Sequence, residues 1–346
     1  MKDKLKKMDS SPLVSVLMSF YNERIDFLKL SIESILNQSY TNIEFIILSD
    51  NPENISLNTY VEELTDSRII FIKNEKNIGL TKTLNRGLGQ CRGKYIVRMD
   101  ADDIALPRRI ETQVKFMEAH PDIMASGGAV IAINAKGQSL YKIKMPTNTL
   151  LMPYYSLFSS PLIHPASIIR RSDQQFYYNE YFRYAQDYAL WVSFLGQGCN
   201  LSNIDEVILK YRYSENQIFK KHKKEQTECA DEILRATFVN LNIRIDDFGI
   251  VAWKKINSTE IISAEEFVKL EEFIIDFYEK NRIIISDFGL DYTLNRLVLN
   301  LFLKYRGNNI FKTMKKYTSL LIKTNCSFKI KFYCLVLYNA IKNSHV

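Results

Sequence analysis

The sequence predicts an α/β fold: a mostly parallel sheet flanked by helices, followed by a helical C-terminal region. Three observations predict it. Apolar runs alternate with amphipathic helical segments through the first 130 residues. Strand-like segments follow from Ile123, with a hairpin signal at Asn134-Ala135-Lys136-Gly137. Beyond about Gln226 the pattern is almost wholly helical. Alternating strands and helices at short spacing give parallel strands covered on both faces, because each crossover packs back onto the sheet.

Leu13–Phe20 is a continuous apolar run rich in Val, as a strand buried on both faces should be. Asp26–Gln38 places Phe27, Leu28, Leu30, Ile32, Ile35 and Leu36 at helical spacing. Glu44–Ser49 is the second strand, Ser56–Leu64 a short helix and Arg68–Lys73 the third strand. Leu80–Gln90 is helical and is entered through Asn77-Ile78-Gly79. Tyr95–Met99 is the fourth strand, and Pro107 suits the first turn of a helix reaching Ala119. Leu162–Ile169 and Leu201–Leu209 read as later strands, with a helix over Tyr184–Leu195 between them. Ser263-Ala264-Glu265-Glu266 is a capping-box start for a helix running towards Lys280. The pattern places a domain boundary near 215–225, giving a domain over 1–220 and a helical basic region over 221–346.

The 346 residues suit two domains, and 46% apolar with 25% charged residues describes a folded chain rather than a disordered one. The formal charge of +7 is unevenly placed: no Asp or Glu follows Asp291, whereas nine Lys or Arg lie from Leu297 onward. The rest of the chain is therefore slightly acidic, and no nucleic-acid reading motif accompanies the basic end, which argues against a nucleic-acid partner. Five cysteines without C-x-x-C spacing favour free thiols and a cytoplasmic setting. No window reaches 18 uninterrupted apolar residues, and the charged N-terminus leads into no secretory-type apolar stretch.

The chemistry centres on Asp100-Ala101-Asp102-Asp103, directly after an apolar strand. The carboxyl edge of a parallel sheet is where open α/β sheets bind ligands. In an extended chain, residues two apart face the same way, so Asp100 and Asp102 should present their carboxylates to one site. Hard oxygen ligands suit Mg²⁺ or Mn²⁺, completed by phosphates and water. The alternative is a solvated acidic turn. Ser19-Phe20-Tyr21-Asn22 ends the first strand and Asp50 the second, so three polar strand ends converge. Ser19 and Asp50 could hydrogen-bond a base or ribose, although Asn22 and Asp50 are also ordinary turn formers. Asn77-Ile78-Gly79 before a helix reads equally as a phosphate cradle or a helix start. The fingerprints G-x-G-x-x-G after the first strand and G-x-x-x-x-G-K-[ST] are both absent, which disfavours dehydrogenases and P-loop enzymes.

From about Leu13 to about Ile218 the chain resembles the inverting glycosyltransferases of family 2, which have the GT-A fold. The resemblance rests on ordered pieces: VSVLMSFYNE; SIESILNQSYTNIEFIILSD; NEKNIGLTKTLNRGL; GKYIVRMDADDIALPRRIETQVKFMEAHPDI; LIHPASIIRR; and QDYALWVSFLGQG followed by ILKYRYSENQI. It is closest in style to bacterial enzymes that build capsule or lipopolysaccharide oligosaccharides. It implies a Rossmann-like donor half over about 11–130 and an acceptor half over about 131–220. It also implies a UDP-sugar donor and a divalent metal, Mn²⁺ or Mg²⁺. By resemblance Ser19 and Asp50 bind the nucleobase, with Tyr21, Asn22 and Lys82 around the nucleotide. Asp100 lies near the ribose and the metal's hydration shell, Ala101 lies within the motif, and Asp102 is the direct metal ligand. Asp187 is the catalytic base, His164 and Pro165 lie near the acceptor, and Arg108 and Arg109 follow the metal motif.

The implied reaction is one in-line displacement, inverting the anomeric centre, onto a hydroxyl of a glycan or lipid-linked acceptor. Two departures from the family pattern stand out. Gln186-Asp187 replaces the usual Glu-Asp, and Ser214 stands where a His often provides a third metal ligand. No Q-x-x-R-W element of processive synthases is present, which implies addition of one or a few sugars. Lys220-Lys221-His222-Lys223-Lys224 reads as a solvated basic run or as a lid over the donor diphosphate. The segment over 310–346 mixes Lys with Phe, Tyr, Leu and Ile. It suits either the anionic inner face of the plasma membrane, as a peripheral contact, or a helical layer packed on the fold. The rival functional class is a non-catalytic protein that binds a nucleotide sugar or a membrane surface.

Overall fold

The computed structural model describes residues 11–171, 176–213, 223–283 and 287–304. The chain divides into two compact units, Met1–Met152 with Ser160–Ile233, and Pro153–Ser159 with Leu234–Val346. The boundary expected at 220–221, the Ser214 position, most of the 220–224 basic run and the whole of 310–346 lie outside the described residues.

In the first unit the order is β1 (Val14–Phe20), α1 (Ile25–Leu36), β2 (Ile43–Ser49), α2 (Ile55–Glu62), β3 (Ile69–Lys73), α3 (Leu80–Leu88), β4 (Tyr95–Asp100), β5 (Ile104–Ala105), α4 (Arg109–Ala119), β6 (Ile123–Ile133) and β7 (Ser139–Ile143). A one-turn helix α5 (Met152–Tyr155), β8 (Ile168–Arg170), α6 (Gln186–Gly196), β9 (Asn200–Arg212) and α7 (Lys223–Asn240) follow, α5 after Met152 and α7 after Ile233 belonging to the second unit. The sheet runs β3-β2-β1-β4-β8-β6-β9-β5, with β7 paired to β6. Its first four strands are parallel neighbours. Beyond them β4–β8, β6–β8, β6–β7 and β5–β9 are antiparallel, and β6–β9 is parallel. The parallel character therefore belongs to the first half, and the second half is mixed.

β1 and β2 are buried along their whole length, as their unbroken apolar runs require. α1 buries Leu28, Ile32 and Ile35 against the core that Val16, Met18, Phe45 and Val97 build. The hairpin forms as the sequence predicts, with Gly137 at φ +79 and the Asn134 amide donating to Gln138 O at 3.0 Å. One strand expectation fails. Leu162–Ile169 is not a single strand: His164–Ala166 is a 3₁₀ turn with proline near its start, and only Ile168–Arg170 pairs. Pro165 has no N–H to give a ladder and its ring fixes φ, so the apolar run breaks there.

The second unit holds α8 (Asp247–Asn257), α9 (Ala264–Asn281) and α10 (Asp287–Lys304). The capping box at Ser263 and Glu266 is complete, with both reciprocal hydrogen bonds present. Trp253 is buried among Phe158, Phe238 and Phe277, at ring-centroid distances of 5.0, 4.9 and 5.6 Å. Its indole N–H donates to Leu157 O at 3.2 Å. Trp253→Ala leaves a cavity in this aromatic cluster and should cost about 3–5 kcal/mol. Urea unfolding followed by far-ultraviolet circular dichroism reads that loss. No described helix is long and apolar enough to cross a membrane.

Candidate active site at the ends of the parallel strands

β1 sits between β2 and β4, so the carboxyl ends of three parallel strands open at one edge. Ser19 pairs in register with Asp100 across β1–β4, and the nearly buried Asp50 follows β2 immediately. Tyr21 is exposed at the end of β1, and the Asn22 side-chain oxygen accepts from the amides of Asn51 and Asn54 at 2.8 and 3.1 Å.

The acidic motif is a turn rather than an extended segment. The strand stops at Asp100, and the Asp103 amide reaches back to Asp100 O at 3.4 Å. Helix α1 fixes the segment: the Ser31 hydroxyl donates to Asp100 O at 2.8 Å, and Ser34 Oγ accepts from the Ala105 amide at 3.0 Å. Asp100, Asp102 and Asp103 thereby bring one carboxylate oxygen each within 4.8 Å of one another. An extended chain would have turned Asp103 to the opposite face; the turn adds it to the pair.

Three buried arginines frame this turn. Arg98 Nη2 donates to Asp100 Oδ1 at 2.6 Å. Arg109 donates to Arg98 O at 2.7 Å, Gln113 Oε1 at 3.1 Å and the Met99 sulfur at 3.2 Å, so it braces the strand from behind. Arg212, at the end of β9, donates through Nε to Asp102 O at 2.7 Å, and its amide donates to Asp103 Oδ1 at 2.7 Å. Its guanidinium also lies 3.9 Å from the centre of the Phe27 ring.

Asp102 and Asp103 are crowded enough to hold protons near neutrality. Burial first, then the charges of Asp100 and Glu23, push the Asp102 carboxyl up to about 7. Burial, with Asp102 and Asp100 beside it, holds Asp103 well above the usual carboxylate range, and Asp103 Oδ2 has no hydrogen-bond partner. Glu23 is raised by burial and by Asp100. A divalent cation would discharge this cluster, and three oxygen donors with an unpartnered buried oxygen fit Mg²⁺ or Mn²⁺.

Asp187 lies in the first turn of α6, where a carboxylate meets the positive end of the helix. Burial raises its pKa, the charge of Asp100 raises it further, and Arg98 opposes. Asp187 and Asp100 thus sense one another. His164 is buried and bonded through Nε2 to the Tyr178 hydroxyl at 2.8 Å. Burial and Arg98 keep the imidazole neutral. The Tyr178 backbone is clamped to α3 by Asn85 through two hydrogen bonds.

Several candidate residues have protein partners of their own. Asp50 accepts from Asn74 and from the Ile78 and Gly79 amides at 2.8, 2.9 and 2.9 Å. Those two amides serve Asp50, so the Asn77-Ile78-Gly79 segment is a helix entry held by a carboxylate, with Gly79 supplying φ +86. Lys82 pairs loosely with Glu180 at 3.8 Å, and Arg108 is an exposed partner of Glu111. Ala101 is buried. Sequence reasoning missed Arg98, Arg212, Glu23 and Tyr178. The available signal was Arg98 itself, a charge inside an otherwise apolar strand and two residues before Asp100.

A mixed sheet whose parallel strands end in a carboxylate turn has the layout of the GT-A fold. The sequence profile of Glycosyl transferase family 2 matches residues 15–176. An uncharacterized glycosyltransferase of Methanocaldococcus jannaschii is 39% identical over 205 residues, covering 58% of this chain and 71% of its own length. The UDP-Gal:alpha-D-GlcNAc-diphosphoundecaprenol beta-1,3-galactosyltransferase of Escherichia coli is 34% identical over 215 residues, covering 60% of this chain and 76% of its own. The crystal structure of S. aureus TarS 1-349 in complex with UDP-GlcNAc superposes with a TM-score of 0.55 at 17% identity, over 91% of this chain and 93% of that one. This chain belongs to glycosyltransferase family 2.

Proposed function

We propose that this glycosyltransferase moves a sugar from a UDP-sugar to a hydroxyl of a lipid-linked or glycan acceptor, with inversion and with a divalent metal. One observation carries the reading: carboxylate oxygens of Asp100, Asp102 and Asp103 converge within 4.8 Å at the edge of the parallel strands. Asp187 lies within electrostatic reach of that cluster. The E. coli relative, named for transfer from UDP-Gal to a diphosphoundecaprenol-linked acceptor, supports the donor and acceptor classes. So do the UDP and UDP-GlcNAc complexes of TarS.

In this reading Asp102 and Asp100 hold the metal, which would neutralise charge on the departing diphosphate. Arg212 fixes the backbone of Asp102, and Ser31 that of Asp100. Asp187 takes the proton from the acceptor hydroxyl. Ser19 and Asp50 face the base and ribose, and Asp50 also sets the loop that Gly79 ends. Residues 1–220 would carry the chemistry, and 310–346 would contact the anionic inner face of the plasma membrane, where a lipid-linked acceptor lies.

Transfer assayed against a panel of nucleotide sugars, with and without chelator, tests the proposal; UDP-sugar turnover that chelator abolishes is the expected result. Turnover indifferent to chelator, or no turnover with any nucleotide sugar, counts against it. The pH profile gives a second check. A base must be ionised to accept a proton, and burial raises Asp187 above the ordinary aspartate value of 3.8. The acid limb of kcat/KM should therefore lie above that value, with activity falling as pH drops through it. A limb at or below the ordinary value contradicts the assignment.

A further inference from the structure

Arg98 sits in β4 with 2% of its side chain exposed, surrounded by apolar neighbours on its own strand. A guanidinium carries five N–H donors. Here one strong bond, 2.6 Å, goes to Asp100 Oδ1; Nη1 reaches Leu17 O only at 3.4 Å, and Nε has no partner. Burying a charge this incompletely bonded is costly unless opposite charge surrounds it. That charge is present. The positive field of Arg98 acts on Glu23 and Asp187 as well as on its bonded partner Asp100. Arg109, by contrast, bonds neutral atoms.

The consequence concerns the metal site. Arg98 bonds one of the two oxygens of Asp100, so Oδ2 is the oxygen of that carboxylate clear of the guanidinium. Its fixed positive charge also stands beside the place a divalent ion would take, and like charges at such range repel. A donor diphosphate brings negative charge that offsets this repulsion. We propose that Arg98 is a positioning residue, an internal counter-cation that keeps the acidic turn assembled without metal and makes tight metal binding depend on the donor's diphosphate. The inference rests on the metal reading above.

The test is Mn²⁺ binding, read by electron paramagnetic resonance of free Mn²⁺, with and without UDP. Wild type should bind Mn²⁺ weakly alone and at least about tenfold more tightly with UDP present. Arg98→Gln removes the charge and should tighten binding in the absence of UDP by about tenfold, shrinking the gain from UDP. Arg98→Met repeats the neutralisation with an apolar chain, in case one variant does not fold. Arg98→Lys keeps the charge and should bind Mn²⁺ nearly as wild type does, whatever it does to thermal stability. If Arg98→Gln and Arg98→Met bind Mn²⁺ no more tightly than wild type, Arg98 is packing only. Equal Mn²⁺ affinity of wild type with and without UDP also overturns the inference, and needs no variant. Absence of Mn²⁺ binding by wild type even with UDP removes the metal reading itself.

Discussion

Asp187→Asn should lower kcat by about 10²–10⁴ while leaving the affinity for UDP nearly unchanged. Asn keeps the size of the side chain and can still accept from the Tyr188 amide, so the fold should survive. It cannot take a proton. The acceptor hydroxyl would then attack without a base, and only the rate of transfer would fall. The substitution also removes a negative charge near Asp100, which acts on Asp187 in the present arrangement. That change should if anything ease the crowding of carboxylates, so a loss of activity cannot be assigned to a damaged donor site. Steady-state transfer together with UDP titration separates the two. Loss of UDP affinity with kcat preserved would place Asp187 on the donor side and remove it as the base.

Asp102→Asn should have the other large effect, and of a different kind. The carboxylate is held by a turn whose backbone is tied to Arg212 at 2.7 Å, so its position is fixed while its charge is lost. A metal acting on a leaving diphosphate is worth several kcal/mol, so turnover should fall by about 10³ or more. Mn²⁺ should no longer strengthen UDP binding. The folded protein itself should be no less stable, because Asp102 carries a raised pKa from burial and from Asp100 and Glu23. A carboxyl raised in the folded state costs stability that builds as pH climbs from 3.8, where the unfolded chain ionises, to about 7, and is full above it; the neutral Asn is free of that cost. Calorimetry of UDP with and without Mn²⁺, and thermal unfolding above neutrality, read both halves. An undiminished Mn²⁺ effect would mean that other groups hold the ion.

The parallel half of the sheet was legible because buried strands announce themselves. Val14–Phe20 and Ile43–Ser49 are mostly apolar and buried at every residue, and the helix between them buries one face, through Phe27, Leu28, Ser31, Ile32 and Ile35. Local chemistry was legible too, in the Asn134–Gly137 turn and the Ser263 capping box. The acidic motif was visible, but its geometry was not. Spacing two apart suggested an extended pair, whereas the segment is a turn, fixed by a hydrogen bond donated by Ser31 and one accepted by Ser34, about seventy residues upstream. Arg212 lies more than a hundred residues from the carboxylate it serves. No local pattern reports such a partner. Asp50 shows the same limit: its position at a strand end was plain, its bonds to Asn74, Ile78 and Gly79 were not. Pro165 was the reverse case, a local signal overridden by reading the apolar run around it.

A crystal of the enzyme grown with Mn²⁺ and UDP, with anomalous scattering recorded from manganese, tests the account at its centre. The account predicts a single strong peak about 2.0–2.3 Å from an Asp102 oxygen and close to Asp100, shared with the diphosphate and open on the side that Asp187 faces. Manganese bound elsewhere, or a peak from which Asp187 is screened by protein, would contradict it.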